Sequence, residues 1–133
     1  VGAAPVSTVL LDTSVVIDPT NLDAWKDSIA LVSAVTLGEL HAGLETGDVV
    51  TRAERRRRLN HARATYQAIP FGDAQAEVYG LLVTLMIEAG RSHRRRALDL
   101  QIAATAAVAG VPLLTRNAAD LVGLERVVKV VSL

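Results

Sequence analysis

Thr8-Val9-Leu10-Leu11-Asp12-Thr13-Ser14 carries the clearest local signal of the fold. Its first four residues are β-branched or apolar, with no polar face, and the run stops at an acid. A segment that short and that uniformly apolar reads as a strand, Thr8–Leu11, buried on both sides. Outward from it, Ile29–Val32 is a second such run, and Val111–Thr115 and Val127–Val131 are two more. Ala68–Phe71, bounded by Pro70 and Gly72, is a further strand candidate. Helical patterns fill the gaps. Ser33 can cap a helix through Leu44, whose Leu37, Leu40 and Leu44 fall at i, i+3 and i+7. Asp48 can cap a long charged helix to about Gln67. Asp73 opens an apolar helix to Ala89 that stops at Gly90, and Leu98–Ala109 is an alanine-rich helix closed by Gly110. Strands alternating with helices predict an α/β fold in three layers, a short, mostly parallel sheet flanked by helices on both faces.

The composition agrees. The chain has 133 residues, enough for one domain, 1–133, and no repeat, low-complexity tract or linker divides it. Half of the residues are apolar and 21% are charged, which excludes intrinsic disorder. Aromatic residues make up only 3%, so a base-stacking platform is disfavoured; Trp25, Tyr66, Phe71 and Tyr79 are the rings available. There is no cysteine, which removes disulfides, zinc-thiolate sites and thiol catalysis. The longest uncharged stretch, Leu100–Thr115, is shorter than the ~20 residues of a membrane span and is broken at Gly110 and Pro112. Val1–Leu11 carries no basic segment ahead of its apolar part and does not read as a secretory signal.

In an open parallel sheet, ligands bind beyond the carboxyl ends of the strands. Asp12 follows the first strand directly, and Glu39 lies in the second turn of the helix after Ile29–Val32. Asp99 stands in the first turn of the helix that feeds Val111–Thr115, and Asp120 follows that strand by a short turn. Singly, each has an ordinary reading: Asp12 or Asp120 in a turn, Glu39 as a surface acid, Asp99 as a residue favoured by the helix dipole. Jointly they predict carboxylates converging on one sheet edge. Such a cluster is costly without a compensating cation. With no thiol and only His41, His61 and His93 as imidazoles, oxygen ligation of Mg²⁺ or Mn²⁺ is the natural reading. A divalent ion lowers the pKa of water and neutralises charge on a phosphoryl group, which is the chemistry of phosphodiester hydrolysis. Thr115 and Asn117 are candidates for orienting water or phosphate.

At these residues the chain resembles the PIN-domain proteins. Leu11–Asp18 is similar to their opening motif, Ser33–Leu40 to the second with its acid at Glu39, Asp99–Ala106 to the third, and Leu114–Asp120 to the fourth. Size and motif wording are similar to the VapC toxins of bacterial toxin–antitoxin pairs. The resemblance implies a PIN-like fold and a Mg²⁺- or Mn²⁺-dependent endoribonuclease, bacterial and cytoplasmic. It also implies a homodimer and a VapB-type antitoxin that covers the site. It carries Asp12, Glu39 and Asp99 over as catalytic metal ligands. Where many PIN domains place an acid, this chain has Asn117, so Asp120, the later acid of that motif, is the expected fourth catalytic metal ligand, with Thr115 and Asn117 as support. A PIN-type nuclease without an antitoxin and a silent interaction module are the alternatives; an aspartyl phosphatase is disfavoured because Ser14 stands where its second acid belongs.

The arginines are clustered while the net charge is zero. Arg94, Arg95 and Arg96 precede Asp99, and Arg116 sits between Thr115 and Asn117, so these are the expected RNA contacts. Arg55–Arg58 sweep a full helical turn and read first as a solvated face, with RNA or antitoxin contact as the alternative. No histidine has a catalytic setting. Apolar residues of the Val78–Ile87 segment are candidates for a dimer surface.

Overall fold

The structure, a computed structural model, describes residues 7–133. The first six residues of the Val1–Leu11 reading therefore lie outside the described part. The strands are β1 (Thr8–Leu11), β2 (Ile29–Ser33), β3 (Gln67–Ile69), β4 (Leu113–Thr115) and β5 (Val130–Ser132). They form one sheet in the order β3-β2-β1-β4-β5, with every pairing parallel. The helices are α1 (Thr13–Ile17), α2 (Ala34–Ala42), α3 (Val49–Thr65), α4 (Asp73–Glu88) and α5 (Ala97–Ala109).

The uniform apolarity of the strands follows from burial on both sides. Leu10 of β1, Leu31 of β2 and Leu113 of β4 face a core built with α4 and α5. Their neighbours Val9, Leu11, Val32 and Leu114 face the opposite core, built with α1, α2 and α3. Adjacent strand residues point to opposite faces, so one sheet serves two cores. The expected Leu37, Leu40 and Leu44 stripe of the Ser33-capped helix joins the second core. Alanines 103, 104 and 106 of α5 are fully buried, and their small side chains let α5 pack closely on α4 and the sheet.

Several boundaries differ from the sequence reading. Asp48 does cap α3, accepting from Thr51 N–H at 2.8 Å. Asp73 instead lies inside the first turn of α4, where Gly72 is the cap residue and Gln75 accepts the Gly72 N–H at 2.9 Å. The last strand begins at Val130, not Val127, because Val127 and Val128 donate their N–H groups back to Leu124 in a turn that buries Leu124 and Val128. The β3 strand lies over Gln67–Ile69 instead of Ala68–Phe71, and β4 starts only at Leu113. The short helix α1 is hidden in sequence by Val15-Val16-Ile17, whose β-branched side chains favour strand by propensity. Burial of Val15 and Val16 against the second core overrides it.

From β1 the chain moves outward through β2 to β3, then returns across the sheet to β4 and moves outward through β5. The direction reverses between β1 and β4. Their carboxyl ends therefore flank the crevice that such topologies leave for a ligand.

Candidate functional site

Asp12 sits at the end of β1 and is only 4% exposed. Its backbone N–H still pairs with Leu114 of β4, and its carbonyl accepts from Val15 and Val16 as α1 begins. It thus takes the cap position of α1 through its main chain, while its side chain makes no capping bond. The carboxylate is held sideways instead. Ser14 Oγ donates to Asp12 Oδ2 at 2.7 Å, and Thr115 Oγ1 donates to the same oxygen at 2.8 Å. Ser14 in turn accepts the Arg116 N–H, and Thr115 accepts the Asn117 N–H. Each hydroxyl has one proton, so both are committed to the carboxylate and their lone pairs to the backbone. Asp12 Oδ1 has no protein donor among the described residues.

Glu39 is half-buried in the second turn of α2. Thr13 Oγ1 donates to Glu39 Oε1 at 2.8 Å and lies 2.9 Å from Thr36 Oγ1, so the Thr36 proton points to Thr13. The hydroxyl pair ties the start of α1 to α2. Asp99 is half-buried in the first turn of α5. Burial raises its pKa to about 6, helped by the negative charges of Asp12, Glu39 and Asp120 and opposed by Arg96. Asp120 lies in the 3-10 turn Ala118–Leu121 beyond β4 and pairs with Arg96 at 3.4 Å, its side chain 48% exposed.

These acids share a field rather than a closed cage. All of the other three act on Asp99. Yet among the described residues no three His, Cys, Asp or Glu side chains are gathered so as to hold a metal ion. The donor set is all oxygen, the chemistry that a hard dication prefers, and a small ion of this kind keeps water in part of its shell. Burial and the neighbouring acids both raise the Asp99 pKa, and a bound dication would offset both, so the donor chemistry suits such an ion although the side chains are not gathered around one point.

The arginines divide by role. Arg94 and Arg95 are exposed in the 3-10 turn before α5. Arg96 turns inward, donating to Ser92 O and pairing with Asp120, and its buried Nε has no partner among the described residues. Arg116 is turned onto the loop after α1. Its guanidinium donates to Asp18 O and Thr20 O and pairs with the Asp18 carboxylate at 3.6 Å. That clamp holds the loop beside the crevice. Asn117 is exposed, with its backbone N–H engaged on Thr115. Thr13, Ser14 and Thr36 are the supporting residues that a search for acids does not single out. Their signal in sequence is slight: Thr13 and Ser14 follow Asp12 directly, and Thr36 lies one helical turn before Glu39.

The PIN domain family model matches residues 9–121. No curated protein matches the chain by sequence. Among solved structures, VapBC-5 of Mycobacterium tuberculosis, a member of the VapBC family of toxin–antitoxin systems, is 29% identical with a TM-score of 0.81, over 96% of this chain and 99% of that one. A toxin–antitoxin complex from Klebsiella pneumoniae is 26% identical with a TM-score of 0.66, over 93% and 96%. FitAcB of Neisseria gonorrhoeae is 25% identical with a TM-score of 0.73, over 92% and 95%.

Proposed function

The chain belongs to the PIN domain family, and from that premise we propose that it is the toxin of a VapBC-type pair, a Mg²⁺- or Mn²⁺-dependent endoribonuclease. What supports this reading is the placement of Asp12 at the end of β1, Glu39 on α2, Asp99 on α5 and Asp120 in the turn after β4, with Asp99 half-buried and acted on by the charges of the other three. The likeness to toxin–antitoxin structures over nearly the whole length supports the partner.

Asp12, Glu39 and Asp99 are the proposed ligands, with Asp120 at the outer side. The chemistry such an ion supplies when bound is neutralisation of phosphoryl charge and a lowered pKa for water in the crevice. The chain's own residues do the rest. Ser14 and Thr115 fix the Asp12 carboxylate, leaving Oδ1 for the ion. Thr13 fixes Glu39 in the same way. Arg96 places positive charge beside Asp99 and Asp120, where a phosphate would lie, and exposed Arg94 and Arg95 extend it for the RNA backbone. Arg116 positions the loop after α1 and serves RNA only through that loop. Leu81 and Ile87, exposed on α4, are the proposed homodimer surface. No helix among the described residues is long and apolar enough to cross a membrane.

The test is incubation of the purified protein with labelled RNA in Mg²⁺ and in EDTA. Cleavage is expected in Mg²⁺ alone, and its loss in Asp12→Asn and Asp99→Asn with circular dichroism unchanged. Cleavage in EDTA, or full activity in either variant, overturns the reading.

A further inference from the structure

The four consecutive arginines of α3 do not act as one face. Arg56 and Arg57 are exposed. Arg55 and Arg58 are half-buried and lie on the side of α3 that carries the buried Leu59 and Ala62, toward α2. The spacing explains the split, since 55, 58, 59 and 62 follow the i, i+3, i+4, i+7 pattern of one helix face.

On that side, Arg55 and Arg58 line a cavity of about 200 Å³ together with Glu39, Ile17, Leu40 and Gly43. The space is ample for a phosphate group, since one water needs only roughly 10–15 Å³. Two arginines and one acid thus share the lining, and no ion pair joins them: the ion pairs among the described residues are Arg96–Asp120, Arg116–Asp18 and Arg126–Glu88. Arg55 is braced through Nη1, which donates to Gly43 O at 2.8 Å and Thr46 O at 2.9 Å. That bracing fixes the guanidinium and leaves its other N–H groups open. Arg58 has no hydrogen-bond partner among the described residues. Arginines aligned along a helix edge, one held rigid and one unengaged, suit the planar fork that binds phosphate. Glu39 lines this cavity and also acts on Asp99, so the cavity adjoins the acidic crevice.

We infer that Arg55 and Arg58 form a phosphate subsite for the RNA strand, holding a backbone phosphodiester next to the one to be cut. The inference rests on the nuclease reading above. Ile17 and Leu40 give the subsite an apolar floor, and Arg58 is the residue whose engagement it requires.

The Asp99→Asn protein, expected not to cut, is titrated into a fluorescein-labelled RNA hairpin in EDTA at several salt concentrations, and anisotropy is read. Adding Arg58→Ala is expected to weaken binding about tenfold and to lower the salt slope by about 0.7–0.9, the value of one phosphate contact. Arg58→Lys, which keeps charge but loses the fork, falls between. Arg56→Ala with Arg57→Ala stays within about twofold. Should Arg58→Ala fail to melt cooperatively, Arg58→Gln replaces it. Equal affinity for parent and Arg58→Ala overturns the subsite and leaves the nuclease reading standing. Equal losses from the exposed and half-buried pairs also overturn it, because charge alone then explains binding. No RNA binding by the parent overturns both. A fluorescein-labelled Glu-rich peptide read in the same way is expected not to bind; unchanged RNA binding with peptide binding that is lost in Arg58→Ala assigns the cavity to a protein partner and overturns the subsite.

Discussion

Ser14 and Thr115 give their protons to the same oxygen of Asp12, although Thr115 lies 103 residues along the chain. Their hydroxyls orient a buried carboxylate, and Asp99 shows what burial and acidic neighbours do to another. Its pKa is raised to about 6, chiefly by burial and then by its acidic neighbours. The folded chain therefore holds this proton more tightly than the unfolded chain, whose ordinary value is 3.8. Stability from this group is present below about pH 4 and is lost as pH rises toward 6. In EDTA at neutral pH, Asp99→Asn should melt higher than wild type, by on the order of 1 kcal/mol once partial exposure is allowed for. The advantage should shrink at pH 4. Thermal melts at the two pH values check this; a variant less stable than wild type at neutral pH contradicts the crowding. Asp12, Glu39, Asp99 and Asp120 were all legible as acids beyond strand ends. Thr115 was singled out as a hydroxyl at a strand end, but its bond to Asp12, the Thr13 bond to Glu39 and the Arg116 clamp on the Asp18 loop were not, because those bonds join segments that only the folded sheet brings together.

At the scale of elements, alternation of strand and helix could be read because each run ends in a residue with a definite conformational role. Gly110 is the sharpest case. It closes α5 in the left-handed region at φ +71°, and nothing lies within 4 Å of where a Cβ would stand. Gly110→Ala should therefore cost about 1 kcal/mol from backbone conformation alone. Urea unfolding measures it, and an unchanged midpoint contradicts the assignment of that role. Where no such punctuation exists, the reading slips. Val127-Val128 has strand composition, yet the pull of the core on Leu124 and Val128 coils it into a turn, and β5 forms further on. The arginine run of α3 is a similar case. Sequence shows a full turn of charge, while packing of Leu59 and Ala62 decides which two arginines look inward.

Over the whole molecule, a single reversal of strand order does most to create the crevice. Because β1 lies at the centre of the sheet with β2 on one side and β4 on the other, Asp12 and Thr115 end side by side. Leu10, fully buried in β1, belongs to the α4–α5 core. Leu10→Ala should cost about 2–5 kcal/mol by leaving a cavity at the sheet's centre, which denaturant melts would show; a loss under 1 kcal/mol would place that core elsewhere. Two-faced burial was legible from the uniformly apolar strands. The partition of side chains between the two cores became clear only with the register.

If carboxylates from distant segments act together as an oxygen site for a hard dication, the protein binds that ion and loses it when one of them is neutralised. Isothermal titration of Mn²⁺ into the intact protein at neutral pH tests it most directly. Saturable binding in wild type, abolished in both Asp12→Asn and Asp99→Asn while the melts remain cooperative, is the predicted result. Binding that persists undiminished in both variants, or is absent from wild type, would contradict it.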